Sequence, residues 1–262
     1  MNRKHITLRI GNGALHAATT DSSTPSVIFQ PFTVKSGISM AANLREAFRQ
    51  LPLLNDDYAS ATVIVDSPTL IIPKEEVDDN DATELMHYTF PDAENALIMT
   101  SEMSFANAVA AFALNKDLRL VVDDHFKQPL FLPLIQPVWR HFQRRSFNSL
   151  HQTLYGYFHD RKLDIFCFNK NRFKFSNSYE VTNSRDAAYY ILYVWKQLAL
   201  NAERDAMVVF GDVIDSEWLI KALQQYVANV TAVADADEFG GSPVVEVKNM
   251  PFDLKILLDR EL

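Results

Sequence analysis

One order of structural signals runs through this chain twice, and it restricts the fold more than any single residue does. HITLRI places Ile6, Leu8 and Ile10 on one face, GNG turns the chain, and ALHAAT continues it. SVIFQPFTV follows as a third strand, with Pro31 pointing to an edge or a bulge. Ser39 can cap a helix in which Met40, Leu44, Ala47, Phe48 and Leu51 recur at helical spacing, and Pro52 lies just past its end. ATVIVD then reads as a strand buried on both faces. The second half repeats this grammar. LHQTLYGYF, KLDIFCFN and RFKFSNSYEV form a meander around the short polar turns HDR and KN. Asn183 or Ser184 caps a long helix with an apolar stripe of Ala188, Ile191, Leu192, Trp195 and Ala199. AMVVFGD is a buried strand, Asp215 or Ser216 opens another helix, and NVTAVA closes the series. The expectation is an α/β chain of two β-β-β-α-β-α-β domains, residues 1–145 and 146–262. The duplication is one of pattern, with no residue-level repeat.

Between the two series, SPTLIIP breaks the strand pattern with Pro68 and Pro73, and ALIMTSEMS, FANAVAAFAL and LRLVVDDHF are strand-like or ambiguous apolar runs, LRLVV being read as a strand. LPLIQPVWRHFQRRSF follows, a helix with Pro137 in its first turn. At the far end, DADEFGGSP reads as an acidic loop, and PFDLKILLDREL is apolar enough to dock on the body.

Charge narrows the partners. The net charge is −8, and the acidic excess is shared by both halves, so neither offers the positive footprint that non-specific nucleic-acid binding needs. Arg140, His141, Arg144 and Arg145 form a local basic cluster, read as a solvated helix face or, more sharply, as a site for a phosphate or an acidic partner. The basic N-terminus lacks the apolar run of a signal peptide, and no stretch is long and apolar enough to span a membrane. With the single cysteine, Cys167, inside an apolar strand, a cytoplasmic protein with no membrane contact is expected.

The hairpin RIGNG looks like the first phosphate loop of actin-like ATPases, which reads Asp-x-Gly-x-Gly. The whole chain resembles a Bacteroidetes family of unknown function with the actin-like ATPase fold. That resemblance is carried by the opening strand pair, VIVDSPTLIIP, the phenylalanine-rich meander from His151 to Phe175, and VVFGDVIDSEWL. It implies two ribonuclease-H-like domains clamping a nucleotide. The departures from the ATPase pattern are more telling. Arg9 stands where the first loop keeps an acid, and a cation repels magnesium. The second Asp-x-Gly falls on Tyr157-Phe158-His159-Asp160-Arg161, which has no glycine. The Gly-Gly turn is Phe210-Gly211-Asp212, one glycine followed by an acid. The resemblance thus implies a vestigial nucleotide cleft of Arg9, Gly11, Asn12, Gly13, Asp160, Gly211 and Asp212. No catalytic residue and no resident metal are expected, nor is binding of ATP and magnesium. Phosphoryl transfer depends almost wholly on positioning and electrostatics, and three degraded loops forfeit both. Glycine is scarce throughout, 7 in 262 residues, against a typical ~7%.

The expected role is a binding or scaffold protein whose partner is another protein or a second copy of itself. Two other readings stand beside it. Asp66, Asp123 and Asp124 could form a metal-dependent nuclease or phosphohydrolase centre, with Asp123, Asp124 and His125 following a strand LRLVV. Alternatively, Gly11–Gly13 could be a backbone nest that binds a nucleotide or anion without turnover, with Arg9 on the anion. Ser149 and His151 lack an orienting acid and an oxyanion turn, so a serine hydrolase is not expected.

Overall fold

A computed structural model describes residues 4–21, 26–77, 79–147, 149–170 and 172–260. The chain divides into two units, Met1–Pro137 with Glu246–Leu262, and Val138–Val245. The expected division at residue 145 assigned the C-terminal segment to the second half, whereas Glu246–Leu262 groups with the first.

The first unit opens with β1 (His5–Ile10), β2 (Ala14–Asp21) and β3 (Ser26–Thr33), an antiparallel meander. Helix α1 (Met40–Gln50) begins as expected: the Ser39 hydroxyl accepts the Ala42 N–H. Next come β4 (Ser60–Val65), β5 (Thr69–Pro73), α2 (Asp79–Thr89), β6 (Leu97–Met103) and β7 (Ala108–Leu114). Helix α3 (Lys116–His125) and β8 (Leu130–Pro133) complete this part of the chain, and α4 (Ile135–Ser146) follows, belonging from Val138 onward to the second unit. The main sheet runs β3-β2-β1-β4-β8, with β4 parallel to both β1 and β8. Pro31 lies on β3, at the sheet's edge, where a missing N–H costs no ladder bond. Leu8, Leu44, Val63 and Val122 meet in the core between this sheet, α1 and α3. Strands β5, β7 and β6 form a second, three-stranded sheet, inserted after β4.

The run LRLVVDDHF was expected as a strand and is helix α3. Leu118, Val121 and Val122 are buried at helical spacing, and the Asn115 side chain caps the helix by accepting the Leu118 N–H.

The second unit holds β9 (Thr153–His159), β10 (Lys162–Asn169), β11 (Arg172–Glu180), α5 (Ser184–Gln197), β12 (Ala206–Gly211), α6 (Ser216–Gln224) and β13 (Asn229–Ala232). This is the expected β-β-β-α-β-α-β order, and its sheet runs β11-β10-β9-β12-β13. Asn183 caps α5, its side-chain oxygen accepting the N–H groups of Arg185 and Asp186. One face of the sheet packs Leu163, Ile165, Val209 and Ile191. The other stacks aromatic rings: Phe142 of α4 lies 4.3 Å from Phe210, and Phe210 lies 5.1 Å from Tyr157. Fully burying a side chain of this size is worth about 1.5–3 kcal/mol, so the phenylalanine-rich meander is core. The expected acidic loop begins with the one-turn helix α7 (Asp235–Glu238).

The last helix, α8 (Phe252–Asp259), packs against β2 of the first unit. Phe252, Leu254, Ile256 and Leu258 are buried, but so are Asp253 and Lys255. A helix with charges on a buried face requires partners for them.

Candidate functional site

In the first unit, alternation along β1 turns Leu8 and Ile10 into the core and Arg9 to the opposite face. Arg9 is only 1% exposed. Its Nε–H lies 2.9 Å from both carboxylate oxygens of Asp253, which is completely buried on α8. This cation at the first hairpin is therefore neutralised from within the same unit. The hairpin itself closes with the Gly11 N–H donating to the Ala14 carbonyl at 3.0 Å. That N–H is committed to the turn and is not offered to an anion. Neither Asn12 nor Gly13 has a positive φ, and a Cβ on Gly13 would meet nothing within 4 Å.

In the second unit, Asp160, Gly211 and Asp212 come together at the C-terminal ends of the parallel strands β9 and β12. Asp160 and Arg161 form a two-residue turn with φ of 44° and 63°. Both lie in the left-handed region of a type I′ hairpin, a conformation that favours Asn, Asp and Gly. His159, buried just before this turn, places Nε2 2.7 Å from Asp164 Oδ2 and Nδ1 3.4 Å from Asp160 Oδ2. Its ring stacks on Tyr157 at 4.7 Å.

Gly211 has a definite reason to be glycine. Its φ is +84°, and a Cβ there would stand 2.3 Å from the Phe158 carbonyl oxygen and 2.8 Å from the Tyr157 ring. The Asp212 N–H donates to that same Phe158 carbonyl at 2.9 Å. The glycine lets β12 close against β9, and the next amide is consumed in doing so.

The residues of the nuclease reading do not form one centre. Asp66 follows β4, its N–H donating to the Ile10 carbonyl at 2.9 Å. Asp123 and Asp124 lie on α3, not after a strand. Asp123 is ion-paired with Arg119 at 2.5 Å. His125, which follows Asp124, places its Nε2 2.7 Å from the Leu54 carbonyl oxygen, ahead of the start of β4. The six-residue strand β4 separates that end from Asp66, roughly 20 Å at the usual strand rise.

Burial pushes the Cys167 thiol up to about 12, with Asp205 adding to the rise and Lys174 opposing it. Cys167 is buried, as expected, and inert as a nucleophile. Of the functional-looking groups, Asp253, His159 and Asp164 escape sequence reasoning. Nothing in PFDLKILL marks Asp253 as the partner of a residue 244 positions away. His159 and Asp164 bracket a turn, and that spacing could have been read.

The meander-and-crossover arrangement of the sheets is that of the actin-like ATPase fold. A protein "with actin-like ATPase fold and unknown function" from Bacteroides thetaiotaomicron matches at a TM-score of 0.86 and 22% identity, over 98% of this chain and 95% of its own. The PilM–PilN type IV pilus biogenesis complex matches at a TM-score of 0.58 and 12% identity, over 89% of each chain. The chain belongs to the family described as "Protein of unknown function (DUF3822)", whose profile matches residues 1–230. No curated protein matches it. Among the described residues, no helix is long and apolar enough to cross a membrane.

Proposed function

We propose that this protein is a cytoplasmic binding or scaffold module on an actin-like fold that does not hydrolyse ATP. The observation that carries this reading is the buried Arg9–Asp253 pair. A magnesium nucleotide needs an anionic group in the first loop to organise the metal and its waters, and here a permanent cation is locked onto an internal carboxylate. The Gly11 and Asp212 amides are spent on turn and strand carbonyls, and the β9–β10 turn places Asp160 and Arg161 where a phosphate would want open backbone.

A protein partner is the natural counterpart of such a module. A chain of this fold forms part of the PilM–PilN complex, which supports association as a use of the scaffold. Calorimetry with ATP and magnesium tests the reading. The expected result is no micromolar binding and no turnover. Micromolar binding with hydrolysis that disappears in Asp160→Asn or Asp212→Asn would overturn it.

A further inference from the structure

We propose that the outward face of α5 is a docking surface for a helix of a protein partner that carries an acid at each end of an apolar stripe. This rests on the binding-module reading and adds the chemistry of what is bound. Helix α5 buries Ala187, Ile191, Val194 and Trp195 in the core of its unit. Arg185, Tyr189, Tyr193 and Lys196 fall at i, i+4, i+8 and i+11, which puts all four on the side turned away from that core. All four are exposed, Tyr189 and Tyr193 by 64% and 49%, and half-buried Leu192 lies at their flank. The two rings are held in place. Tyr189 meets Tyr193 at 6.2 Å, 20° from parallel, and meets Tyr190 edge-on at 5.4 Å. Tyr190 stacks on Tyr179 of β11 at 4.5 Å, and both pack on the core. A ring supported in this way loses little freedom on binding, and tyrosine is enriched among the anchors of protein interfaces.

The charges name the partner's chemistry. Arg185 and Lys196 stand at the two ends of the stripe, about 16 Å apart along the helix axis. Neither makes an ion pair among the described residues. The one acid of α5, Asp186, is held at the cap by the Asn183 side-chain amide at 2.6 Å, and on neighbouring α6 Lys221 pairs with Glu217 at 2.6 Å. The α5 face is thus positive in a chain of net charge −8. Helix stability does not account for Arg185, because the dipole at a helix N-terminus favours an acid there. An acid on a partner neutralises it.

A second copy of this chain does not fit the same face. Two α5 stripes laid antiparallel set Arg185 against Lys196, and laid parallel they set each cation against its own copy, like charges in both cases. An extended segment does not fit either. Strand addition needs open main-chain groups, and those of α5 are bonded within the helix. A partner helix is satisfied internally in the same way and can lay its own ridge along the stripe at the usual interaxial distance of about 8–10 Å.

The test uses the full chain and a fluorescent alanine-based helical peptide with two Glu residues at the spacing of Arg185 and Lys196 and Leu on the same face between them. A control peptide carries Lys in place of Glu. Anisotropy at low salt should show saturable binding of the Glu peptide only. Its Kd should rise about tenfold in Arg185→Glu/Lys196→Glu, and that variant should take the Lys peptide instead. Tyr189→Ser/Tyr193→Ser should weaken the Glu peptide by about tenfold or more with both cations intact. In the parent, the ring resonances of Tyr189 and Tyr193 should shift when the Glu peptide binds. Thermal midpoints of the variants should match the parent, since all four residues are exposed. Absence of saturable binding, a charge-reversed variant that still prefers the Glu peptide, unchanged affinity in the tyrosine variant, or unmoved tyrosine resonances would overturn the proposal. So would self-association of the full chain that the tyrosine variant abolishes, or tighter binding to phosphatidylglycerol vesicles. None of these outcomes touches the nucleotide experiment above, where ATP turnover alone would strike the module reading.

Discussion

Replacing Asp253 by Asn is the perturbation that most directly probes the first unit. The carboxylate is completely buried, Arg9 is 1% exposed, and both carboxylate oxygens lie 2.9 Å from the Arg9 Nε. Desolvating two such ions costs several kcal/mol each, which their mutual attraction roughly repays. Asn fills nearly the same volume but removes the charge that faces the Arg9 Nε at 2.9 Å. The expected loss is about 3–5 kcal/mol, the range for breaking one partner of a buried pair. Against a typical total of about 5–15 kcal/mol, that is enough to make the unit marginal. The Arg9→Met/Asp253→Leu double variant should recover most of the loss, because it removes both desolvation penalties and keeps apolar volume in place. Urea unfolding should be read together with hydrogen exchange at β1 and β2, since two units need not unfold as one. A loss below about 1 kcal/mol in Asp253→Asn, or a double variant no better than the single, would refute the claim that the pair is a buried, charge-matched contact.

Other expectations follow from single residues. Gly211→Ala should cost about 3 kcal/mol by urea unfolding, from left-handed backbone strain plus the overlap with Phe158 and Tyr157. Gly13→Ala should stay within about 0.5 kcal/mol, because its φ is ordinary and its surroundings are open. Arg161→Gly should stabilise by about 0.5–1 kcal/mol, since φ at this turn position is 63° and glycine adopts it without strain. Glu238 supplies a pH dependence. Burial pushes its carboxyl up, but the hydrogen bonds and charges of His141 and Arg145 outweigh burial and hold it below its ordinary value. A depressed folded value means the contribution is present in full above about 4.5 and is lost as pH falls through the lower, folded value. The stability advantage of the parent over Glu238→Gln, measured by urea midpoints, should therefore shrink in acid; a constant difference from neutral pH down to unfolding would contradict it.

What could be read from sequence was what local chemistry dictates. Ser39 and Asn183 cap because their side chains reach amides two or three residues away. Pro31 marks an edge because it cannot donate to a ladder. Helix α3 was missed because LRLVV is both alternating and helically periodic over so short a span; Asn115, its cap, was the available discriminator. The placement of α8 was missed for a different reason. Its partner strand and the residue that needs its carboxylate lie at the other end of the chain, and no local pattern encodes a contact across 244 positions.

Gly211 carries the sharper lesson about reading motifs in this family. Taken alone, a glycine retained at the end of β12 looks like a relic of a phosphate turn. Its geometry supplies a sufficient cause with no ligand: the strand it ends runs so close to β9 that a Cβ would overlap a carbonyl oxygen. Gly13 is the contrast, a glycine in the motif position with neither a required φ nor a crowded neighbour. The packing constraint at Gly211 holds with or without a ligand, whereas nothing lies within 4 Å of a Cβ at Gly13. Substitution should therefore be free at Gly13 and costly at Gly211 in any chain sharing this close approach. Gly211 thus reports strand packing, and Gly13 does not.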